Sequence, residues 1–245
     1  MNILDYVKIE TSTVEDGNMA ISYGEKEEVI ENRKNFFKEK GFEYDNTYLL
    51  RTDFKDFMVL DNVEVVNNPP NQFSVSDKTD ALVTDNKDVV LALLTADCLQ
   101  ITIYDPIQKT VGLIHAGFKW QDAGIIDKTF KIMQEKFSTK AENVLIHLGN
   151  CISVNHYRWD KNIFKNSTED SWVRRCLTKD NYPERPYIID LRKSAILNLK
   201  DLGLLEENIY DTGIDCYTDK RYFSHVRSVF TDEKDGRHIT LVQMK

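Results

Sequence analysis

The stretch Leu91-Ala-Leu-Leu-Thr-Ala-Asp-Cys-Leu-Gln-Ile-Thr-Ile-Tyr-Asp-Pro-Ile-Gln-Lys-Thr-Val-Gly-Leu-Ile-His115 decides how this chain folds. It opens within a nearly all-apolar run, Val89 to Thr95, which suits a strand covered on both faces. Leu99 to Tyr104 reads as a second strand, and Asp105-Pro-Ile-Gln-Lys109 as a turn with proline at its second position. Val111 to His115 reads as the returning strand. Strands joined by a tight turn run antiparallel, so the start of one and the end of the other share an edge. Cys98 and His115 are therefore expected to converge, although 17 positions separate them (98 to 115). A thiol beside an imidazole supports two chemistries: a soft metal site or an activated nucleophile. The plainer alternative is a packed cysteine and a structural histidine that never meet. Both residues at strand ends, next to Gly117 and a helix start, weigh against it.

Outward from this hairpin the chain mixes helices and strands without an evident linker. Glu25 to Lys40 places Val29, Ile30, Phe36 and Phe37 near one side of a helix that Gly41 closes. Tyr48 to Arg51 and Phe57 to Leu60 look like short strands, and Asn67-Asn-Pro-Pro-Asn-Gln72 is a loop. Gly124 to Phe137 reads as a helix with a broad apolar face, followed by a strand over Val144 to Leu148. A second helix is expected over Ile188 to Leu202, with Asp190 as its N-cap and Gly203 as its stop. His238 to Val242 is a closing strand. The expected architecture is α/β: a layered mixed β-sheet sandwich with flanking helices, one domain over residues 1–245.

Composition narrows the function classes. The chain has 245 residues, 41% hydrophobic and 11% aromatic, enough for a sizeable core. A formal net charge of −8 argues against nucleic acid or an acidic membrane surface as the main partner. Four cysteines in a chain this long do not suggest a disulfide scaffold. No stretch approaches the ~20 apolar residues that span a bilayer, and the first residues lack a basic region before a long apolar run. A cytoplasmic location and a small-molecule substrate are the expectations; the oligomeric state is left open.

Three strings give the chain a relative. Thr95-Ala-Asp-Cys-Leu99, Gly112-Leu-Ile-His-Ala-Gly117 and Leu148-Gly-Asn-Cys-Ile152 together resemble the laccase-domain (YfiH-like) family, also called the polyphenol oxidase family. Glu31-Asn-Arg33, Asp80-Ala-Leu-Val-Thr-Asp85, Asp215-Cys216, Phe223-Ser-His-Val-Arg227 and Gly236-Arg237 extend the likeness, which runs from about Thr11 to Val242. The resemblance implies a cysteine-hydrolase-like fold. It also implies a purine nucleoside phosphorylase, a transferase with possible adenosine deaminase (hydrolase) activity, whose Zn2+ is held by two histidines and one cysteine.

Cys98 and His115 match two of those ligands; Asp53 occupies the position of the remaining histidine. Zinc accepts sulfur, nitrogen and oxygen donors, so an Asp53/Cys98/His115 set is chemically sound, although aspartate reaches less far than histidine. Lys119 stands where the family has an arginine, Trp120 where it has a glycine, and Arg158 where it has a glutamate. Lys119 keeps the charge but loses the two-pronged phosphate geometry, and Trp120 is expected to narrow or cover the pocket.

Cys98 and His115 are thus the candidate catalytic pair, with Lys119, Arg33 and Arg227 as candidate substrate contacts. Each arginine could equally pair with a carboxylate. Without a metal, His115 would take the proton of Cys98, with Asp53 or Asp97 orienting the ring. That reading makes the protein a Cys-His hydrolase or amidase, for example one acting on peptidoglycan precursors. A non-catalytic relative with a degraded metal site is the third possibility. Copper-dependent phenol oxidation needs several histidine-rich sites, and His115 is the only one of five histidines matched to the metal site. Cys151 and Cys216 read as packing residues, His147 as a core histidine, and His156, His225 and His238 as isolated structural or exposed groups.

Overall fold

The computed structural model describes residues 1–50, 62–76, 79–164 and 170–245. Asp53 and the strand expected over Phe57 to Leu60 lie outside the described residues. Two sheets dominate. The first holds β1 (Val7–Thr11), β2 (Thr47–Leu50), β4 (Ser74–Ser76), β6 (Val90–Thr95) and β14 (His238–Met244), in the order β1-β14-β6-β2-β4. The second holds β3 (Val63–Val65), β5 (Ala81–Thr84), β7 (Leu99–Asp105), β8 (Thr110–Ala116), β9 (Leu145–Leu148) and β13 (Ile209–Asp211), in the order β13-β9-β7-β8-β5-β3. A small third sheet joins β10 (Arg158–Trp159), β11 (Leu177–Lys179) and β12 (Tyr187–Ile189) in the order β10-β12-β11.

The side-chain period of two sorts these strands into layers. Leu91 and Leu93 of β6 pack with Val111 and Leu113 of β8 and Val242 of β14, forming the core between the two sheets. Val90, Ala92 and Leu94 face the other way, onto Phe36 and Phe37 of α1 (Lys26–Lys40). On the far side, Ile101, Ile103 and Ile114 pack against Ile126, Phe130 and Met133 of α3 (Ile125–Phe137) and Leu199 of α5 (Leu191–Asp201). The order is helix, sheet, sheet, helix. Both sheets are therefore covered on both faces, which is why β6 is apolar at every position but its last.

Helix ends follow local chemistry. Gly41 takes the left-handed conformation (φ 65°) after α1, where its backbone N–H reaches the last carbonyls. Asp190 caps α5 by accepting from the Lys193 N–H at 2.9 Å. The helix begins at Leu191, not Ile188: Ile188 pairs across strands with Arg158 and Thr178. Three further helices are short: α2 (Phe118–Asp122), α4 (Trp172–Arg175) and α6 (His225–Phe230). No helix of the described residues is long and apolar enough to cross a membrane.

Thr95-Ala-Asp-Cys98 is the crossing between the two sheets. Thr95 still pairs with His238 in the first sheet, whereas Leu99 already pairs with Ala116 in the second. The reversal puts Asp97 at φ 85°, a region that aspartate tolerates better than most non-glycine residues. Its carbonyl accepts from the Ile152 N–H at 2.9 Å, and its Oδ2 from the Val226 N–H at 2.7 Å. Asp97 thereby ties the crossing to α6 and to the loop after β9. Burial pushes its carboxyl pKa up, against the hydrogen bonds from Ser224 and Val226.

Candidate active site

The register of three neighbouring strands builds the site. β8 lies between β5 and β7; Gln100 of β7 sits directly across from His115. On the other side Ala81 pairs with Ile114, and the His115 N–H donates to the Asp80 carbonyl at 2.9 Å. The Asp80 Oδ1 lies 3.8 Å from His115 Nδ1, and both side chains are buried. Cys98, at the mouth of the crossing, is half-buried, while the other three cysteines are buried. Cys98 lies beside the His115 ring, near enough to raise its pKa.

Gly117, immediately after β8, is required by close approach. A Cβ there would lie 2.8 Å from Cys98 Sγ and 2.8 Å from Cε3 of Trp120. The missing side chain lets both groups close over the same point. The Trp120 ring then rests on His115, with 4.0 Å between ring centres and 44° between planes.

Electrostatics sets the state of the imidazole. Burial by itself lowers a histidine pKa, because the charged form loses water. Here the neighbouring Cys98 and Asp80 outweigh burial, and His115 rises to about 9. A cationic imidazole held between a sulfur and a carboxylate results.

Of the two acids expected to orient the ring, Asp53 lies outside the described residues and Asp97 is turned elsewhere. Asp97 is committed to Val226 and Ser224, and Asp80 is the carboxylate beside the ring. Asp80 directly precedes the apolar strand Ala81–Thr84, and only the pairing of that strand with the histidine strand brings it to the ring.

The other candidates are placed differently. Lys119 lies on α2 next to Trp120, and partial burial lowers its pKa. Arg33 is buried under α1, where its Nε donates to the Met19 carbonyl at 2.8 Å and its guanidinium faces the Phe73 ring. Burial also lowers its pKa. Arg227 is buried too, donating to the carbonyls of Cys216, Tyr217 and Tyr222 and to Glu233 Oε2 at 2.5 Å. Both arginines stitch backbone together and neither is brought to Cys98. Arg158 pairs with Asp180 at 2.7 Å.

His147 is a core histidine stacked on Tyr210, and burial lowers its pKa to about 4. Cys151 and Cys216 are fully buried. His238 is not isolated: its Nε2 lies 2.9 Å from Thr95 Oγ1, 3.2 Å from Gln100 Nε2 and 3.4 Å from Asn150 Nδ2. This polar knot adjoins the candidate site through Gln100.

A cleft of about 490 Å3 lies elsewhere, between the helices, and is lined by Asp122, Asp127, Asp170, Trp172, Arg175 and Asn198. Asp122 is paired with Arg174 and Asp170 with Arg175. The cleft contains neither Cys98 nor His115.

For a metal, Cys98 and His115 offer a sulfur and a nitrogen suited to zinc, and Asp80 stands where a carboxylate steadies a ligating histidine. The donor chemistry fits. Among the described residues no group of three or more donors is assembled, and Asp53, the expected third ligand, lies outside them.

A helix–sheet–sheet–helix protein with a cysteine and a histidine at the crossing of its sheets is the class that fold and site define. A family profile described as multi-copper polyphenol oxidoreductase laccase matches residues 9–245, and the chain belongs to that family. The mouse purine nucleoside phosphorylase LACC1 is 28% identical over 208 residues, covering 81% of this chain and 44% of that protein. The Bacillus subtilis purine nucleoside phosphorylase YlmD is 30% identical over 168 residues, covering 68% of this chain and 59% of that protein. The chain thus spans about half the length of these curated relatives. The crystal structure of YlmD from Geobacillus stearothermophilus shares the fold, with a TM-score of 0.77 at 22% identity over 93% of this chain and 84% of that one.

Proposed function

We propose that this protein is a purine nucleoside phosphorylase that converts adenosine or inosine and phosphate into free base and ribose 1-phosphate. Its reaction would centre on Cys98 and His115, with Zn2+ held by Asp53, Cys98 and His115. The meeting of Cys98 and His115 under Trp120, beside the buried Asp80, carries this reading. The relatives that bear the phosphorylase name support it.

In phosphorolysis a phosphate oxygen bonds to C1′ of the ribose while the glycosidic bond to the base breaks. The bond's electron pair leaves with the base, which takes up a proton. Zinc, when bound, supplies a Lewis acid that polarises an oxygen. The chain's own residues do the remaining work. Asp80 holds the His115 ring in one orientation, Trp120 keeps water from the pair, and Lys119 supplies positive charge for phosphate. Water in place of phosphate would give hydrolysis, and attack at the adenine amino carbon would give deamination.

One observation favours a second reading. The charged imidazole beside a sulfur, with a carboxylate behind it, is also the arrangement of a thiolate nucleophile, as in a Cys-His amidase. The test measures base and ribose 1-phosphate from adenosine and inosine, with and without phosphate, for wild type and Cys98→Ala. Phosphate-dependent base release lost in the variant supports the phosphorylase. Absence of base and of inosine from adenosine in wild type sinks it. Elemental analysis accompanies the assay: about one zinc per chain, lost in Cys98→Ala, supports the metal site, and a metal-free active protein removes it.

A further inference from the structure

The ring on His115 is attached to a helix of one and a half turns, α2, and is anchored by packing alone. Trp120 lies across His115 at 4.0 Å and touches the same Cβ-free space above Gly117 that the Cys98 sulfur fills. Its indole Nε1 is buried and has no hydrogen-bond partner among the described residues. A buried donor without an acceptor disfavours the position that buries it. The ring thus lies over His115 and beside the Cys98 sulfur in a position from which it gains by moving.

We propose that Trp120 is a specificity-determining gate, whose indole selects by size what reaches the Cys98 sulfur. The gate deepens the proposed reading of the same site, but it concerns access to the sulfur and holds whichever substrate is turned over. A flat group that can take the place of the ring beside His115, and accept a hydrogen bond from the displaced indole, is the ligand such a gate admits.

Alkylation reads the gate without any nucleoside. The other three cysteines are buried, so Cys98 is the one that folded protein labels first. Iodoacetamide and its fluorescein derivative carry the same reactive group on bodies of different size. The ratio of their rates at Cys98 cancels differences in thiolate fraction and metal content. Wild type, Trp120→Phe and Trp120→Ala are compared by peptide mass mapping. Trp120→Ala should raise the large-to-small ratio at least about tenfold, and Trp120→Phe about threefold or less. Ratios equal to wild type in both variants overturn the gate, as does an equal rise for both reagents. If Trp120→Ala labels all four cysteines, it has unfolded, and Trp120→Phe decides: a rise in its ratio supports the gate and an unchanged ratio overturns it. Should phosphorolysis fail while the ratio rises, the gate stands and the substrate assignment falls.

Discussion

Two histidines sit on either side of one glutamine and are driven in opposite directions. Gln100 faces His115 across the β7–β8 ladder and reaches His238 Nε2 at 3.2 Å. Both rings are fully buried, yet His115 rises to about 9 and His238 falls to about 3. Burial pushes each of them down. What differs is the company. His115 has a sulfur and a carboxylate as neighbours, whereas His238 has a hydroxyl, two amides and the nearby charge of Arg237. Depth in the protein does not decide whether a buried imidazole is charged; the acidity of its neighbours does. One corner is thus built to hold charge and the next to exclude it.

Removing the sulfur should erase the difference, with the largest effect of any single change. In Cys98→Ala the first cause that raises His115 disappears, and burial opposes only Asp80. The His115 pKa, followed by NMR of the ring nitrogens, should drop well below 9 toward the depressed range of His238. If the protein is a phosphorylase, kcat/KM should fall by about a thousandfold. A His115 that stays near 9 in this variant would mean that Asp80, or a group outside the described residues, holds the charge.

Asp80→Asn probes the same corner from the other side. The amide keeps the shape but loses the charge, so the His115 pKa should fall by less than in Cys98→Ala. Loss of a group that orients a histidine typically costs about ten- to hundredfold in activity or metal affinity, and zinc content read beside kcat separates the two. Gly117→Ala sharpens the packing side. Its Cβ would lie 2.8 Å from both the sulfur and the Trp120 ring, so one must give way. Overpacking of this kind should destabilise the fold by about 2 kcal/mol, measured by urea unfolding, and tilt the indole.

Much of this corner could be read before the structure. Apolar runs broken by Asp105-Pro106 gave the hairpin, and hairpin geometry gave the meeting of Cys98 with His115. The acid beside the histidine could not be read in that way. Asp80 reaches His115 through the pairing of β5 with β8, a contact between strands distant in sequence, whose register no local pattern reveals. The surroundings of Gln100 and Thr102 were illegible for a related reason. Alternation along Leu99–Asp105 suggests a strand with one wet face, but that face is buried against the other sheet, where Gln100 bonds Thr95 and Thr240. Buried polar side chains look like surface residues in a sequence. Arg33 and Arg227 carried the opposite ambiguity: charge suggested phosphate or a carboxylate, whereas Arg33 holds a main-chain carbonyl and Arg227 holds main-chain carbonyls together with Glu233.

The neutral corner has its own, smaller signature in the dependence of stability on pH. His238 is about 3 in the fold against an ordinary value of 6.5, so below pH 6.5 the unfolded chain binds a proton that the folded one refuses. Its contribution is complete above pH 6.5 and is lost as the pH falls toward 3. The slope from this one group is about 1.4 kcal/mol per pH unit within that window. His147, at about 4, adds to it over the upper part of the same range. Urea unfolding of wild type and His238→Gln at pH 7 and pH 5 isolates the term. Glutamine cannot titrate, so the variant should lose about 2 kcal/mol less than wild type between the two pH values, whatever its stability at pH 7. Equal losses in the two proteins would show that His238 gains a proton inside the fold, and the contrast between the two histidines would collapse.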